Sequence, residues 1–278
     1  MSNGAATLDV AGSAADSRRA AIRAAGTGFS VGRMLAVTRK ELRSYFAFPL
    51  VYVLSGIFLV LAGYYAFSDL VFFMTIAFAR DIIQNYWQLL FSDIRLCLLL
   101  TLPFITMRLF AEERKLGTVE LLYTYPLRDG EILGGKYLAS VLIFVMMLVM
   151  TMLYPIYLYS IHWFPLFPLF AGYTGLLLIG CAFIACGVFI SSLCESQVMA
   201  GMCTITLLLF FWILNWNEAV FQGPWLTLMR SFSLFDQFGG FAKGVIDLDH
   251  ITYFIFFIAF FLFMTMRSME ARKWTGRR

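Results

Sequence analysis

Apolar runs of about 20 residues alternate along the chain with short charged or glycine-rich breaks. Six runs stand out, at 48–67, 88–110, 137–160, 167–191, 197–216 and 250–267. A bilayer core about 30 Å thick is crossed by about 20 apolar residues in helical form. Each run is therefore read as a transmembrane helix. The first ends ahead of Asp69. The second is the least uniform, because Asp93 and Arg95 interrupt its first half, and a re-entrant or interfacial piece is the alternative there. Pro155 lies near the end of the third. Trp212 and Trp216 close the fifth, and Arg267 closes the sixth.

Three stretches outside these runs carry patterns of their own. In 34–46, Leu35, Thr38, Leu42 and Tyr45 recur every three or four residues, with Arg39, Lys40 and Arg43 placed away from them. That spacing predicts an amphipathic helix on the membrane surface, abutting the first span. In 110–126, four charges (Glu112, Glu113, Arg114 and Lys115) leave the membrane and Gly117 breaks the helix. Thr118 can then cap a second short helix bearing Leu121 and Leu122, with Pro126 ending it. A charged elbow followed by a short amphipathic helix suits docking of a partner, and a solvated loop is the equal alternative. In 215–249, Phe232, Phe235, Phe238 and Phe241 predict short helices with an aromatic face.

Composition supports the membrane reading. Of 278 residues, 61% are hydrophobic and 14% charged, too few charges to cover a water-soluble surface. Charge then fixes orientation. Seventeen of the 21 Lys and Arg lie before residue 48, within 108–136 or after 266. Six spans put those three regions on one side, which the positive-inside rule makes cytoplasmic. Residues 1–32 are rich in Ala, Gly, Ser and Arg without an apolar core, and read as a disordered cytoplasmic tail. Residues 33–274 form the membrane domain, and 275–278 a cytoplasmic end. The basic excess follows this bias and does not point to nucleic acid.

Catalytic motifs are scarce. Residues 130–136 fit the G-x-x-x-x-G-K start of a phosphate loop, but Tyr137 stands where Ser or Thr must hold magnesium. The segment also precedes a membrane span, so it reads as a flexible turn. Five cysteines lie in or at the ends of spans without metal-ligand spacing, and His162 and His250 sit at span ends. Asp93 and Arg95 point to different faces of their helix near its outer end and are candidates for a transport pathway. The residues alone leave open a lipid-modifying membrane enzyme using Asp93, Arg95, His162, Glu218, Asp236 and His250, or a channel-like subunit.

The stretch Met107-Arg108-Leu109-Phe110-Ala111-Glu112-Glu113-Arg114-Lys115-Leu116-Gly117-Thr118-Val119-Glu120-Leu121-Leu122 resembles the loop of ABC-2 type transporter permeases. These read M-R-x-F-A-E-E-[RK]-x-x-G-T-x-E-L-L. Thr38-Arg39-Lys40-Glu41-Leu42 fits the start of that family. Phe241-Ala242-Lys243-Gly244-Val245-Ile246-Asp247, Tyr253-Phe254 and Met269-Glu270 are similar to its gliding-motility and copper-enzyme-maturation subgroup. The resemblance implies an all-α integral membrane protein of six transmembrane helices. To these it adds an N-terminal connecting helix (Arg39, Lys40, Glu41), a cytoplasmic coupling helix, and short re-entrant helices before the last span. It implies export driven by a separate P-loop ATPase that holds ATP and Mg, with no cofactor on this chain. A second permease copy or homologue completes a dimer in a bacterial inner membrane. Glu112, Glu113, Arg114, Gly117, Thr118, Glu120, Leu121 and Leu122 would couple to the ATPase.

Overall fold

The computed structural model describes residues 30–76, 82–115, 117, 128–161, 163–216 and 233–275. Among these the secondary structure is helical. The helices are α1 (Val31–Ala47), α2 (Pro49–Ile76), α3 (Ile82–Thr106), α4 (Arg108–Lys115), α5 (Asp129–Thr151), α6 (Leu153–Ile161), α7 (Leu166–Leu193), α8 (Gln197–Trp216), α9 (Leu234–Ala242) and α10 (Leu248–Thr275).

Prolines explain two of the joints. Pro49 forces Phe48 into extended backbone (φ −96°, ψ 131°) and then starts α2, where its missing N–H costs nothing. Pro103 sits inside α3 and leaves the Leu99 carbonyl without a helical N–H, while the interruption at Met107 comes a turn later, where the Met107 N–H still bonds the Pro103 carbonyl at 2.9 Å. Pro155 cannot continue the ladder to Thr151, and the third span accordingly breaks at Met152 between α5 and α6.

Among the described residues, five helical segments are long and apolar enough to cross a membrane by length and composition: Pro49–Phe73, Tyr86–Lys115, Asp129–Ser160, Leu166–Leu193 and Leu248–Ala271. Gln197–Ile213 is a shorter apolar stretch. The interrupted second run is thus among the long segments, since its helix begins before Trp87 and gains length there. The first run does not stop before Asp69. Its helix continues to Ile76 and buries that aspartate.

α7 is the hub. It packs against α3, α10, α8, α9, α5 and α4. Its glycines make this possible. A Cβ on Gly172 would fall 2.0 Å from the Phe91 ring, one on Gly180 2.1 Å from Phe144, and one on Gly187 2.1 Å from Thr106 Oγ1. Lipid tails supply no hydrophobic drive for helix association, so close fit of this kind holds spans together. The outer faces of α2 and α10 carry exposed Val60, Tyr64 and Phe67, and Ile255, Phe256 and Phe260. Hydrocarbon outside is a good solvent for them. α9 lays Phe235, Phe238 and Phe241 inward against the α7 side of the bundle, as their spacing predicts.

Candidate functional site

The glycine-rich stretch 130–136 is not a flexible turn. It forms the first two turns of α5, and its glycines let α1 approach closely. A Cβ on Gly135 would meet the Val37 side chain at 2.7 Å and the Met34 carbonyl oxygen at 2.9 Å. Thr38 donates from its hydroxyl to the Gly135 carbonyl at 3.2 Å. The buried face of α1 is therefore Val37, Thr38, Glu41 and Tyr45. Leu35, expected on the apolar face, is 54% exposed. The reason is the partner: α1 lies on a small-residue helix surface, where short and polar side chains fit, and not simply on lipid.

Glu131 anchors the start of α1. It is fully buried and accepts from the Ser30 backbone N–H at 2.8 Å, the Arg128 N–H at 3.1 Å and the Arg33 guanidinium at 3.0 Å. One turn further along α5, Lys136 is 1% exposed. Its ammonium donates to Glu41 Oε1 (3.1 Å), Glu113 Oε1 (2.8 Å) and the Leu109 carbonyl (2.8 Å), with the Phe110 ring 5.2 Å away. Lys40 closes the network from outside, 3.5 Å from Glu113 and 3.6 Å from Glu41. Two ammoniums and two carboxylates thus balance in one cluster that joins α1, α4 and α5. A buried lysine is stable only with such pairing.

The neighbouring contacts make the same three-helix corner rigid. Tyr45 donates its hydroxyl to the Ile105 carbonyl at 3.0 Å and lies 3.3 Å from Ser140 Oγ. Burial pushes this phenol well above its ordinary value, so it stays protonated and keeps donating. Arg108 grips Glu112 with two bonds of 2.9 and 3.0 Å and lies 4.0 Å from the Phe48 ring centre. Ser191 of α7 spans the Met107 interruption: its Oγ accepts from the Phe110 and Ala111 N–H groups and donates to the Met107 carbonyl. Arg114 bonds the carbonyls of Cys194 and Ser192 at the end of α7. Gly117 adopts φ +67°, and its N–H bonds the Arg114 carbonyl at 3.0 Å, closing α4 in the left-handed form that glycine favours.

The structure thus gathers Glu41, Lys40, Glu112, Glu113, Arg114 and Gly117 at one corner. Glu112, Glu113 and Arg114 all turn toward their own bundle. Thr118, Glu120, Leu121 and Leu122 lie outside the described residues, as do His162 and Glu218. Arg39 and Arg43 line an open cleft on the outer side of α1 with Leu35 and Lys40. Sequence reasoning missed Lys136, Glu131 and Arg33. The available signal was a lysine and a glutamate in the first two turns of an apolar helix, which reads as an ordinary basic flank.

Asp93 and Arg95 occupy a different place, toward the other end of α3. They form no pair with each other. Arg95 faces α9, with its guanidinium carbon 4.7 Å from the Phe235 ring centre and 5.0 Å from that of Phe238, and it donates to the Phe235 carbonyl at 3.2 Å. It is a clamp on α9. His250 contacts Gln237 through Nδ1 and stands 3.7 Å from Asp247 through Nε2. Among the described residues no group of three or more His, Cys, Asp or Glu side chains gathers in a way that could hold a metal.

A search among curated proteins found no match to the chain. A family model described as ABC-2 family transporter protein matches residues 35–270, from α1 to the later turns of α10.

Proposed function

Since the chain belongs to the ABC-2 transporter family, and so is the membrane permease component of an ABC transporter, we propose that it exports a substrate on energy drawn from a separate cytoplasmic ATPase. ATP and Mg bind to that partner. Two permease chains, identical or homologous, form the working unit in a bacterial inner membrane. Gln197–Trp216, 20 residues long, is the fifth span in chain order and brings the number to six, and both termini are cytoplasmic. The block from Phe241 to Asp247 favours the gliding-motility and copper-enzyme-maturation subgroup.

The observation that carries the reading is the Lys136 cluster. Thr118, Glu120, Leu121 and Leu122 follow α4 in the sequence, and Glu113 of α4 is ion-paired to the lysine that also holds Glu41 of α1. A push delivered to α4 by the ATPase passes through short, buried, charged contacts to α1 and to the third span. α1 ends at Ala47, and only Phe48 separates it from the first span. The coupling is a population shift: ATP closes the ATPase pair, and its contacts favour one arrangement of the corner over another. Arg39 and Arg43 offer the same partner a cationic surface.

The experiment is purification of the tagged protein from membranes of its native host, with the eluate assayed for ATP hydrolysis. A stoichiometric ATPase that is lost on Glu120→Lys, with insertion and folding retained, is the expected result. Absence of any ATPase from well-folded protein would return the lipid-enzyme and channel readings.

A further inference from the structure

The second span, Tyr86–Lys115, is broken at Met107, a turn beyond its proline. The Met107 N–H still bonds the Pro103 carbonyl, and a new helix, α4, starts at Arg108. A break of this kind strands carbonyls at the end of one helix and N–H groups at the start of the next. Hydrocarbon offers them no partner. Two hydroxyls from other helices answer them. Ser191 of α7 is fully buried. It accepts the Phe110 N–H at 3.1 Å and the Ala111 N–H at 3.3 Å, and donates to the Met107 carbonyl at 3.2 Å. Tyr45 of α1, also buried, donates to the Ile105 carbonyl at 3.0 Å.

In an unbroken helix the same backbone groups would bond each other. The Phe110 N–H would reach the Thr106 carbonyl, and the Leu109 N–H the Ile105 carbonyl. Ser191 and Tyr45 therefore each hold one half of a ladder bond. Each also has a second partner within reach. The Tyr45 hydroxyl lies 3.3 Å from Ser140 Oγ of α5. A serine inside a helix can bond the carbonyl four residues back, which for Ser191 is that of Gly187. The ladder can close and both hydroxyls can turn away without leaving a polar group bare. Two arrangements of this joint are thus satisfied, and a joint of that kind switches between them rather than deforming gradually.

We propose that the Met107 joint is a two-position hinge, held open by the Ser191 and Tyr45 hydroxyls and closed when the backbone ladder forms across it. The two residues position α4 for coupling. The hinge stands on the bonds at the break, and only its use rests on the ATPase reading. Its place suits that use. α4 carries Glu113 to Lys136 of α5 and Arg114 to the carbonyls at the end of α7, so a turn of α4 reaches both helices at once.

The test is amide hydrogen exchange on the full-length permease in nanodiscs, resolved residue by residue across 104–115. Removing a hydroxyl tips the joint toward the closed ladder. Tyr45→Phe should slow exchange of the Leu109 amide, and Ser191→Ala that of Phe110, each about tenfold, the size of one net backbone hydrogen bond. A hydroxyl that merely capped a fixed break would give the opposite sign, because its loss would bare the amide and speed exchange. Ser191→Thr keeps the hydroxyl and should match wild type. Ser192→Ala should also match it, since that hydroxyl bonds the Phe189 carbonyl away from the break. Size-exclusion and thermal melting report folding of each variant, and if Ser191→Ala does not fold, Tyr45→Phe carries the decision. Faster or unchanged exchange at these amides in the folded variants would overturn the proposal. No ATPase enters the measurement, so failure of the hinge and failure of the coupling reading are separate results.

Discussion

Lys136 is the residue on which the corner depends. Replacing it with Met would leave Glu41 and Glu113 facing each other without their buried cation. The expected loss is about 3–5 kcal/mol, seen as a lower melting temperature in detergent. Adding Glu41→Gln and Glu113→Gln should recover most of it, because the unpaired charges go together. A triple variant no better than Lys136→Met would remove the pairing argument. The sequence does not disclose this role. A lysine flanking an apolar run is what the positive-inside rule leads one to expect, and its partners lie 95 residues upstream and on the preceding helix. Arg95 shows the converse. Its presence inside a span marked it as unusual, but only the fold reveals that it clamps the aromatic face of α9.

At the level of elements, helices were legible and their faces less so. The span lengths come from bilayer thickness, and hydropathy reads that directly. On the inner face of α1, Thr38 and Tyr45 are buried as their spacing predicts, while Val37 and Glu41 take the place expected of Leu35, because the facing surface is a glycine-paved helix that admits short and polar side chains. Gly135→Leu should therefore lever α1 off α5, costing about 1–3 kcal/mol by overpacking and abolishing any ATPase stimulation while the spans remain inserted. α9 offers a second check. Arg95→Met removes the bond to the Phe235 carbonyl and both ring contacts, and hydrogen exchange across 234–242 should quicken relative to α7. Gly117→Val would force a branched residue into left-handed backbone at a cost of about 1–2 kcal/mol. Its expected signature is a lost partner with an unchanged melting temperature for the bundle core.

At the level of the whole molecule, topology is decided by charge. Reporter fusions at both ends and at position 128 should all report the cytoplasmic side. A C-terminal fusion on the opposite face would mean that Gln197–Trp216 does not cross. The tight hub and the exposed apolar flanks of α2 and α10 were both invisible to periodicity, since the apolar residues of these helices are spread around all sides. Hydropathy tells that a helix is in the membrane and not which of its faces meets lipid. The glycines of α7 could have hinted at the hub, and their spacing alone did not say which phenylalanine fills each gap.

The seat of α1 also sets a timetable for synthesis. Ser30 is held by Glu131, encoded 101 residues later, and Thr38 and Glu41 are held by Gly135 and Lys136, encoded 97 and 95 residues later. At about 5–20 residues per second, the nascent helix waits on the order of 5–20 s for its partner to be made. Throughout that interval its exposed Val31, Leu35, Arg39 and Arg43 have only the membrane interface to rest on. A ribosome that stalls before residue 136 leaves two spans inserted and α1 unseated, with Glu41 lacking its buried partner and only Lys40 beside it.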